Sequence, residues 1–472
     1  MTRVSSATPS SRLETAVLVH LGILLLAAGW IYGGNIWWMR SALTVWADVG
    51  ACLTLAAFFQ PGDGGREARR KAWWLLPWLL FVILVVASSF NPSFVPMKAA
   101  DETLLVHRGA VHPGWPSTVN PGASLQELAF GAGVYLAAFN LLLVVRSRRA
   151  LRRLLVVGAT SAVLLAVFGT IQKLSAQGFY FGAATSPNKR FFSTFIYYNH
   201  WGAFMILWLT TAAGLVFYHA LNHRARDLWH SPFTLVIIGV LLLAASAPVS
   251  ASRAATGMAA VVVTLVLVHA LARIIAHRRA QRRPAWPPVL ALVVLAALTL
   301  GAVGWLAHRS IHERYTETLV ALGKNQSVFE DRSELYRDTW TLAMKKPVFG
   351  WGLESYETAF MLIRPRPLES NRQYETSYLE AHSDWLQSVA ETGFAGTTLL
   401  LLMTLVPFLS VPWRTLSHPL VGYPLFGCIL IALYAWIEFP FASGAVLVTF
   451  WTVYFSAVRY ARLQEGATPS GA

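Results

Sequence analysis

Charge is scarce in this chain. Only 13% of its 472 residues are Asp, Glu, Lys or Arg, about half the share of a soluble domain. Acidic residues are the scarcer kind, 23 against 38 Lys and Arg. There are two cysteines, Cys52 and Cys428, each inside an apolar run. That placement reads as packing, not as a disulfide or metal pair. No HExxH or CxxC spacing occurs, so no metal or other cofactor is expected. No Gly-rich phosphate loop suggests a nucleotide-sugar donor. No small-residue cleavage site closes the first apolar run, which therefore reads as a retained span. The net charge of +15 could suggest nucleic acid, but the positive residues cluster in short loops between apolar runs, which is a topology signal.

Apolar sequence fills the rest. Hydrophobic residues make up 55% of the chain and mean hydropathy is +0.49. Runs of 17–23 apolar residues recur, each long enough to cross a hydrocarbon core of about 30 Å as a helix. The fold class expected is an all-α polytopic membrane protein of about twelve spans: 15–31, 41–60, 72–89, 124–145, 151–173, 200–218, 232–248, 254–276, 286–307, 394–411, 419–437 and 441–458. One set of loops, with both termini, holds 21 Lys and Arg, and the opposite short loops hold 6. The positive-inside rule makes the first set cytoplasmic. The interval 308–393 then lies outside, in the periplasm of a bacterium with two membranes.

Three parts follow. Residues 1–307 form a bundle of nine spans with a lid-like outer loop at 90–123, whose Pro, Gly, Ser and Asn content predicts irregular backbone. Residues 308–393 form a periplasmic helical segment, too short to bury a large core alone. Residues 394–472 hold the last three spans and a cytoplasmic tail. In the middle part SVFEDRSELYRDTWTLAMKK has apolar positions at helical spacing, and Pro347, Gly350 and Gly352 end that helix.

The polar chemistry gathers on the outer side. His382, on a helix expected to start near Tyr378, shares a face with Trp385, Leu386 and Val389. A neutral histidine there can take a proton from a hydroxyl, or it can simply bond the helix end. Asp384 and Glu380 are near enough in sequence to orient it. Arg253 follows Ser252 at the outer mouth between two spans; it suits bidentate phosphate binding or snorkels to headgroups. Arg332 and Arg337 diverge on the predicted helix, so one can face a site while the other is solvated. Lys189 and Arg190 add outer positive charge. Asn199 and His200 open a span, where Asn199 also reads as an N-cap. Glu438 can pair with an arginine or sit among headgroups. Mid-span charges are few, with Asp48 and Lys173 nearest to it, which disfavours a transporter.

Four of these stretches together resemble the O-antigen ligase and polymerase superfamily of bacterial membrane glycosyltransferases. EAHSDWLQSVAETGFAG, Glu380 to Gly396, is similar to a signature of the type AHNxxLQxxxExGxxG. It matches at His382, Leu386, Gln387, Glu391, Gly393 and Gly396, with Ser383 in place of Asn and Trp385 where Tyr is common. RSELYRDTWTLAMKKPVFGWG resembles an arginine, an aromatic four residues on and a PxxGxG turn, which selects Arg332 with Tyr336 over Arg337. Ser252-Arg253 matches an SR that opens a mid-family span. STFIYYNHWGAF resembles an NxNxxAG-like segment, with Tyr197 replacing the first Asn.

The resemblance implies a metal-independent, inverting transfer of a glycan from undecaprenyl pyrophosphate at the periplasmic face of the inner membrane. His382 would be the general base. The substrate-binding set would be Arg253, Arg332, Arg337, Lys189, Arg190, Asn199, His200, Tyr336 and Gln387. The acceptor would be a sugar hydroxyl on the lipid A core in a ligase, or another lipid-linked glycan in an O-antigen or exopolysaccharide polymerase. The partners expected are these glycans and membrane lipids, and no nucleic acid.

Overall fold

The computed structural model describes residues 12–99, 102–175, 191–222, 232–323, 328–364 and 379–465. A helix covers each of the twelve apolar stretches. In chain order these are α1 (Arg12–Trp30), α2 (Trp37–Phe59), a short amphipathic α3 (Asp63–Arg70), α4 (Leu76–Ser89), α5 (Pro121–Val144), α6 (Arg148–Leu174), α7 (Tyr198–Asn222), α8 (Pro232–Val249), α9 (Arg253–Ala280) and α10 (Trp286–Gly323). Then come α11 (Val328–Lys345), α12 (Tyr356–Phe360), α13 (Asp384–Phe408), α14 (Pro419–Tyr434) and α15 (Gly444–Glu465). Among the described residues nine helices are long and apolar enough to cross a membrane, while Thr234–Val249 and Pro419–Tyr434 are apolar but shorter. The chain is a multi-pass membrane protein, mostly helical over the described residues.

α5 and α7 are the most enclosed of the nine, and α9 and α10 the most peripheral. α5 packs mainly on α2 and α15, and α7 on α14 and α8. The α2–α5 seam shows how helices associate where water supplies no driving force: small residues admit close backbones and a polar side chain bridges them. A Cβ on Gly50 of α2 would lie 2.8 Å from the Ala137 Cα of α5. One turn on, the buried Asn140 donates to the Gly50 carbonyl at 2.9 Å and accepts from the Thr54 hydroxyl at 2.9 Å.

One expectation changes. The loop 90–123 is not wholly irregular: Phe94–Ala99 and Glu102–His107 form an antiparallel hairpin, β1 and β2, with Phe94 opposite His107. Its alternation of Val, Met, Leu and Val was masked by the prolines on either side. α10 continues unbroken to Gly323, past the expected end of the ninth span at 307. Its 38 residues, at 1.5 Å each, exceed a hydrocarbon thickness of about 30 Å, so one end projects beyond the bilayer.

The projecting layer has a small core of its own. Leu335 and Leu342 of α11, Tyr356 and Phe360 of α12, Phe94 of β1 and Val389 of α13 are buried together. Backbone pairing locks this layer to the bundle. α13 breaks at Gly393, whose φ is +65°, and the freed groups are taken by the PVFGWG turn. Trp351 N–H donates to Ala390 O at 3.0 Å and Gly352 N–H to Glu391 O at 2.7 Å; Phe394 N–H donates to Pro347 O at 2.8 Å. The contact is backbone on backbone: a Cβ on Gly350 (φ +68°) would lie 2.4 Å from the Glu391 carbonyl, and one on Gly393 2.2 Å from Val348 O. Gly350→Ala or Gly393→Ala therefore combines a disfavoured φ with a backbone clash. Each should destabilise the protein by about 1–3 kcal/mol, lowering its melting temperature in detergent. Gly257→Ala, facing open space, is the matched control, and equal melting temperatures for all three variants would overturn this account of the seam.

Candidate functional site

The motifs converge on a carboxylate. Glu438 is the only acidic residue between Glu391 and Glu465. It sits in the turn after α14, with its side chain 5% exposed. An isolated buried carboxylate would take up a proton, but this one is surrounded by donors. Arg332 Nη2 donates to Oε1 at 2.8 Å and Asn199 Nδ2 to the same oxygen at 2.9 Å; the Tyr197 hydroxyl reaches Oε2 at 3.4 Å. Burial alone would raise the Glu438 pKa. The His382 ring and the Arg332 guanidinium outweigh it and hold the group below 4.5.

His382 faces Oε2. Its Nδ1 lies 3.6 Å away, longer than a hydrogen bond, and this buried nitrogen has no other partner. The sequence predicts His382 inside a helix starting near Tyr378, but α13 starts at Asp384 and Ser383 is its N-cap, accepting from Leu386 N–H at 3.3 Å. His382 precedes the cap with φ +51°, a left-handed conformation rare outside glycine. That turn carries the ring back over Glu438 and off the stripe of Trp385 and Val389. The Tyr336 hydroxyl fixes it by donating to His382 O at 3.0 Å, and Phe439 packs edge-on against the ring at 4.9 Å. Ser383 in the Asn position keeps the cap, because the two residues rank together there.

The turn holding Glu438 is pinned from both sides. Asp384 N–H donates to Glu438 O at 3.2 Å, and the Asp384 carboxylate accepts from Phe441 N–H at 2.9 Å. Asp384 thus braces the loop and does not orient the imidazole. Arg332 adds a bond to Ile437 O at 3.1 Å. His200 is buried beneath. Asn35 Nδ2 donates to its Nδ1 at 3.3 Å, so Nε2 carries the proton and donates to Phe439 O at 3.2 Å.

Of the residues expected to bind substrate, Arg332, Asn199, Tyr336 and His200 thus gather around Glu438 and His382. Asn199 is not an N-cap, because α7 starts at Tyr198. Its amide oxygen accepts from Ser252 Oγ at 2.7 Å, which ties in the SR motif. Ser252 caps α9, and Arg253, next to it, is exposed with no partner among the described residues. Arg337 is solvated on the far side of α11. Gln387 is mainly a brace, accepting from Ala381 N–H at 3.0 Å. Glu391 accepts from the N–H groups of Glu354 and Tyr356 at 3.2 and 3.1 Å, so the motif carboxylate clamps the turn after PVFGWG. Lys189 and Arg190 lie outside the described residues. No three His, Cys, Asp or Glu side chains come together as metal ligands among the described residues.

Residues 238–401 match a family model described as O-antigen ligase. The match includes Arg253, Arg332, Tyr336 and His382 and stops short of Glu438. No curated protein matches the chain.

Glu438→Gln leaves Arg332 without its counter-charge. The expected loss is about 1–3 kcal/mol, toward the low end because Arg332 is one-third exposed. The folded-state pKa is depressed, so this stabilisation is present above the unfolded value of 4.5 and lost as pH falls below it. Thermal unfolding should show wild type ahead of Glu438→Gln at neutral pH, with the gap closing in acid. A gap independent of pH would overturn the ionised assignment.

Proposed function

The chain belongs to the O-antigen ligase superfamily, and from that footing we propose that it transfers a glycan from an undecaprenyl pyrophosphate carrier to a sugar hydroxyl. The proposed acceptor is the lipid A core, reached at the periplasmic face of the inner membrane with both termini cytoplasmic. The observation that carries this reading is the pairing of His382 Nδ1 with the buried, ionised Glu438. It orients the ring and keeps a proton on Nδ1, leaving Nε2 as the proton acceptor.

The acceptor oxygen attacks the anomeric carbon of the donor, and its proton passes to Nε2. The bond from that carbon to the pyrophosphate oxygen breaks, with the electron pair leaving on the pyrophosphate. Attack in line inverts the anomeric centre. Glu438 stabilises the imidazolium that forms, as a carboxylate does for a catalytic histidine elsewhere. Arg253, exposed beside the cluster, and the donors of Arg332 not used by Glu438 and Ile437 meet the charge of the leaving group. Tyr336, Asn199 and His200 hold the base and its carboxylate and do not touch substrate.

General-base help is worth about 10²–10⁴ in rate. His382→Ala should lose that much turnover while inserting normally, and full activity in that variant would remove the base assignment. Arg253→Lys keeps the charge but loses the bidentate fork, and a lowered turnover is expected. Wild-type turnover there would leave Arg253 as a headgroup contact.

Deleting the gene tests the acceptor. A ligase loss leaves bare core and long lipid-linked polymer, whereas single repeat units would mark a polymerase. An unchanged pattern in both pools would point away from either.

A further inference from the structure

The end of the bundle opposite His382 carries an excess of positive charge. α15 leaves the site at Gly444 and reaches Arg459 about 22 Å further along its axis, at 1.5 Å per residue. There Lys71, Arg146, Arg459 and Arg462 meet around Glu67. Lys71 Nζ donates to Glu67 Oε1 at 2.6 Å and to Leu142 O at 2.9 Å. Arg459 donates from Nε to Val145 O at 2.5 Å and from Nη1 to the same Glu67 oxygen at 3.0 Å. Both cations are almost fully buried. Arg146 Nη2 stands 3.8 Å from Glu67 Oε2, and the Arg462 guanidinium lies over the Trp74 ring at 5.2 Å. A second acid, Glu14, closes the same corner, accepting from the backbone N–H groups of Arg146 and Ser147 at 3.3 and 3.1 Å.

Four cations against two carboxylates leave an excess of two positive charges among these described residues. Burial, and then the charge of Arg459, push the Lys71 amine down to about 8, although Glu67 pulls the other way. Burial would raise the Glu67 carboxyl, but its bond from Lys71 and the charge of Arg459 outweigh this and hold it at about 2. Glu67 is therefore ionised and already spent on two buried cations. Charge gathered out of water is costly unless opposite charge answers it, and here a further anion is what the corner accommodates.

The surroundings select what carries that anion. α4 begins five positions after Lys71, and its Leu76, Leu79, Leu80 and Ile83 are each about half exposed. At this spacing they form one apolar stripe. Trp73, in sequence between Lys71 and the stripe, is exposed, as aromatic residues are at a membrane interface. A free anion would make no use of this wall, whereas a phospholipid covers it with its acyl chains.

We propose that this corner binds an anionic phospholipid, whose phosphodiester is held by Arg146 and Arg462 above the Glu67 network while its acyl chains lie along α4. Basic pockets beside spans take such headgroups. None of these residues belongs to the His382 site, so the proposal stands apart from glycan transfer. The lipid ties the ends of α5 and α15 to the start of α4, and its binding is read as thermal stability.

The test is thermal unfolding of the full chain in dodecyl maltoside with dioleoyl phosphatidylglycerol, dioleoyl phosphatidylethanolamine or inorganic phosphate added. Phosphatidylglycerol should raise the melting temperature by about 3 °C, and the other two should leave it unchanged. The double variant Arg146→Gln, Arg462→Gln should lose the rise. Arg273→Gln, Arg279→Gln, which neutralises two exposed arginines of α9, should keep it. An equal rise with inorganic phosphate would make this a free-anion site and overturn the lipid. A rise that phosphatidylethanolamine also gives, that survives Arg146→Gln, Arg462→Gln, or that both double variants lose alike would overturn the site. A second measurement needs no variant. Phosphatidylglycerol with a diazirine on an acyl chain, in nanodiscs with the wild-type chain, should label 76–83 above α9 and α10, and label spread evenly over these helices would overturn the proposal.

Discussion

The site depends on keeping one carboxylate ionised out of water. Glu438 is almost fully buried, and such a group stays charged only where donors replace its hydration. Its donors come from α7, α11 and the turn before α13, with Asn199 lying 239 positions and Arg332 106 positions from it in sequence. Each is itself fixed by another bond: Asn199 by Ser252, Arg332 by the Ile437 carbonyl, His382 by Tyr336. Moving any one of these elements away leaves a buried charge under-satisfied. Glu438 thereby turns four weakly specified motif positions into one rigid arrangement.

Most of the residues in the long motif serve that rigidity and not chemistry. Ser383 caps the helix, Gln387 holds Ala381, Glu391 clamps residues 354 and 356, and Gly393 opens the helix so that the PVFGWG turn can pair with it. Of the motif, His382 is the residue proposed above to react. Its left-handed backbone conformation is strain that the cap on one side and Tyr336 on the other maintain. The separation of the two motifs by nearly 30 residues reflects the two halves of a backbone seam that closes only in three dimensions.

The helices were legible because crossing a hydrocarbon layer demands about 20 apolar residues in a row, a signal that packing cannot override. The site was half legible. His382, Arg332 and Asn199 stand out as polar residues at apolar borders. Their partner Glu438 did too, as the lone acid between Glu391 and Glu465, but its role depends on where α11 and α7 place their side chains. The hairpin at 94–107 was hidden by Pro96 and the prolines around it, which read as loop, although at the edge of a two-stranded ribbon a proline forfeits little. The start of α13 was misplaced because a helical stripe continues one turn past the true cap; periodicity does not distinguish a helix from the residues that precede its N-cap. Arg40 and Glu127 were invisible as a pair, since neither lies in a motif and their contact spans 87 positions.

Charge on the two sides of Phe439 follows from these same constraints. Among the described residues beside His382, the Glu438 carboxylate is taken up by Arg332, Asn199 and Tyr197, which leaves Arg253 as uncommitted positive charge. On the other face of Phe439, Arg40 is taken up by Glu127 and the Ala442 carbonyl, so no free guanidinium faces that side among the described residues that line it. The leaving pyrophosphate proposed above needs the first environment. One aromatic ring separates the two sides, and at its edge stands a histidine oriented by a carboxylate. The internal ion pairs therefore do more than stabilise the fold: by choosing which charges are neutralised, they decide which charges remain for substrates.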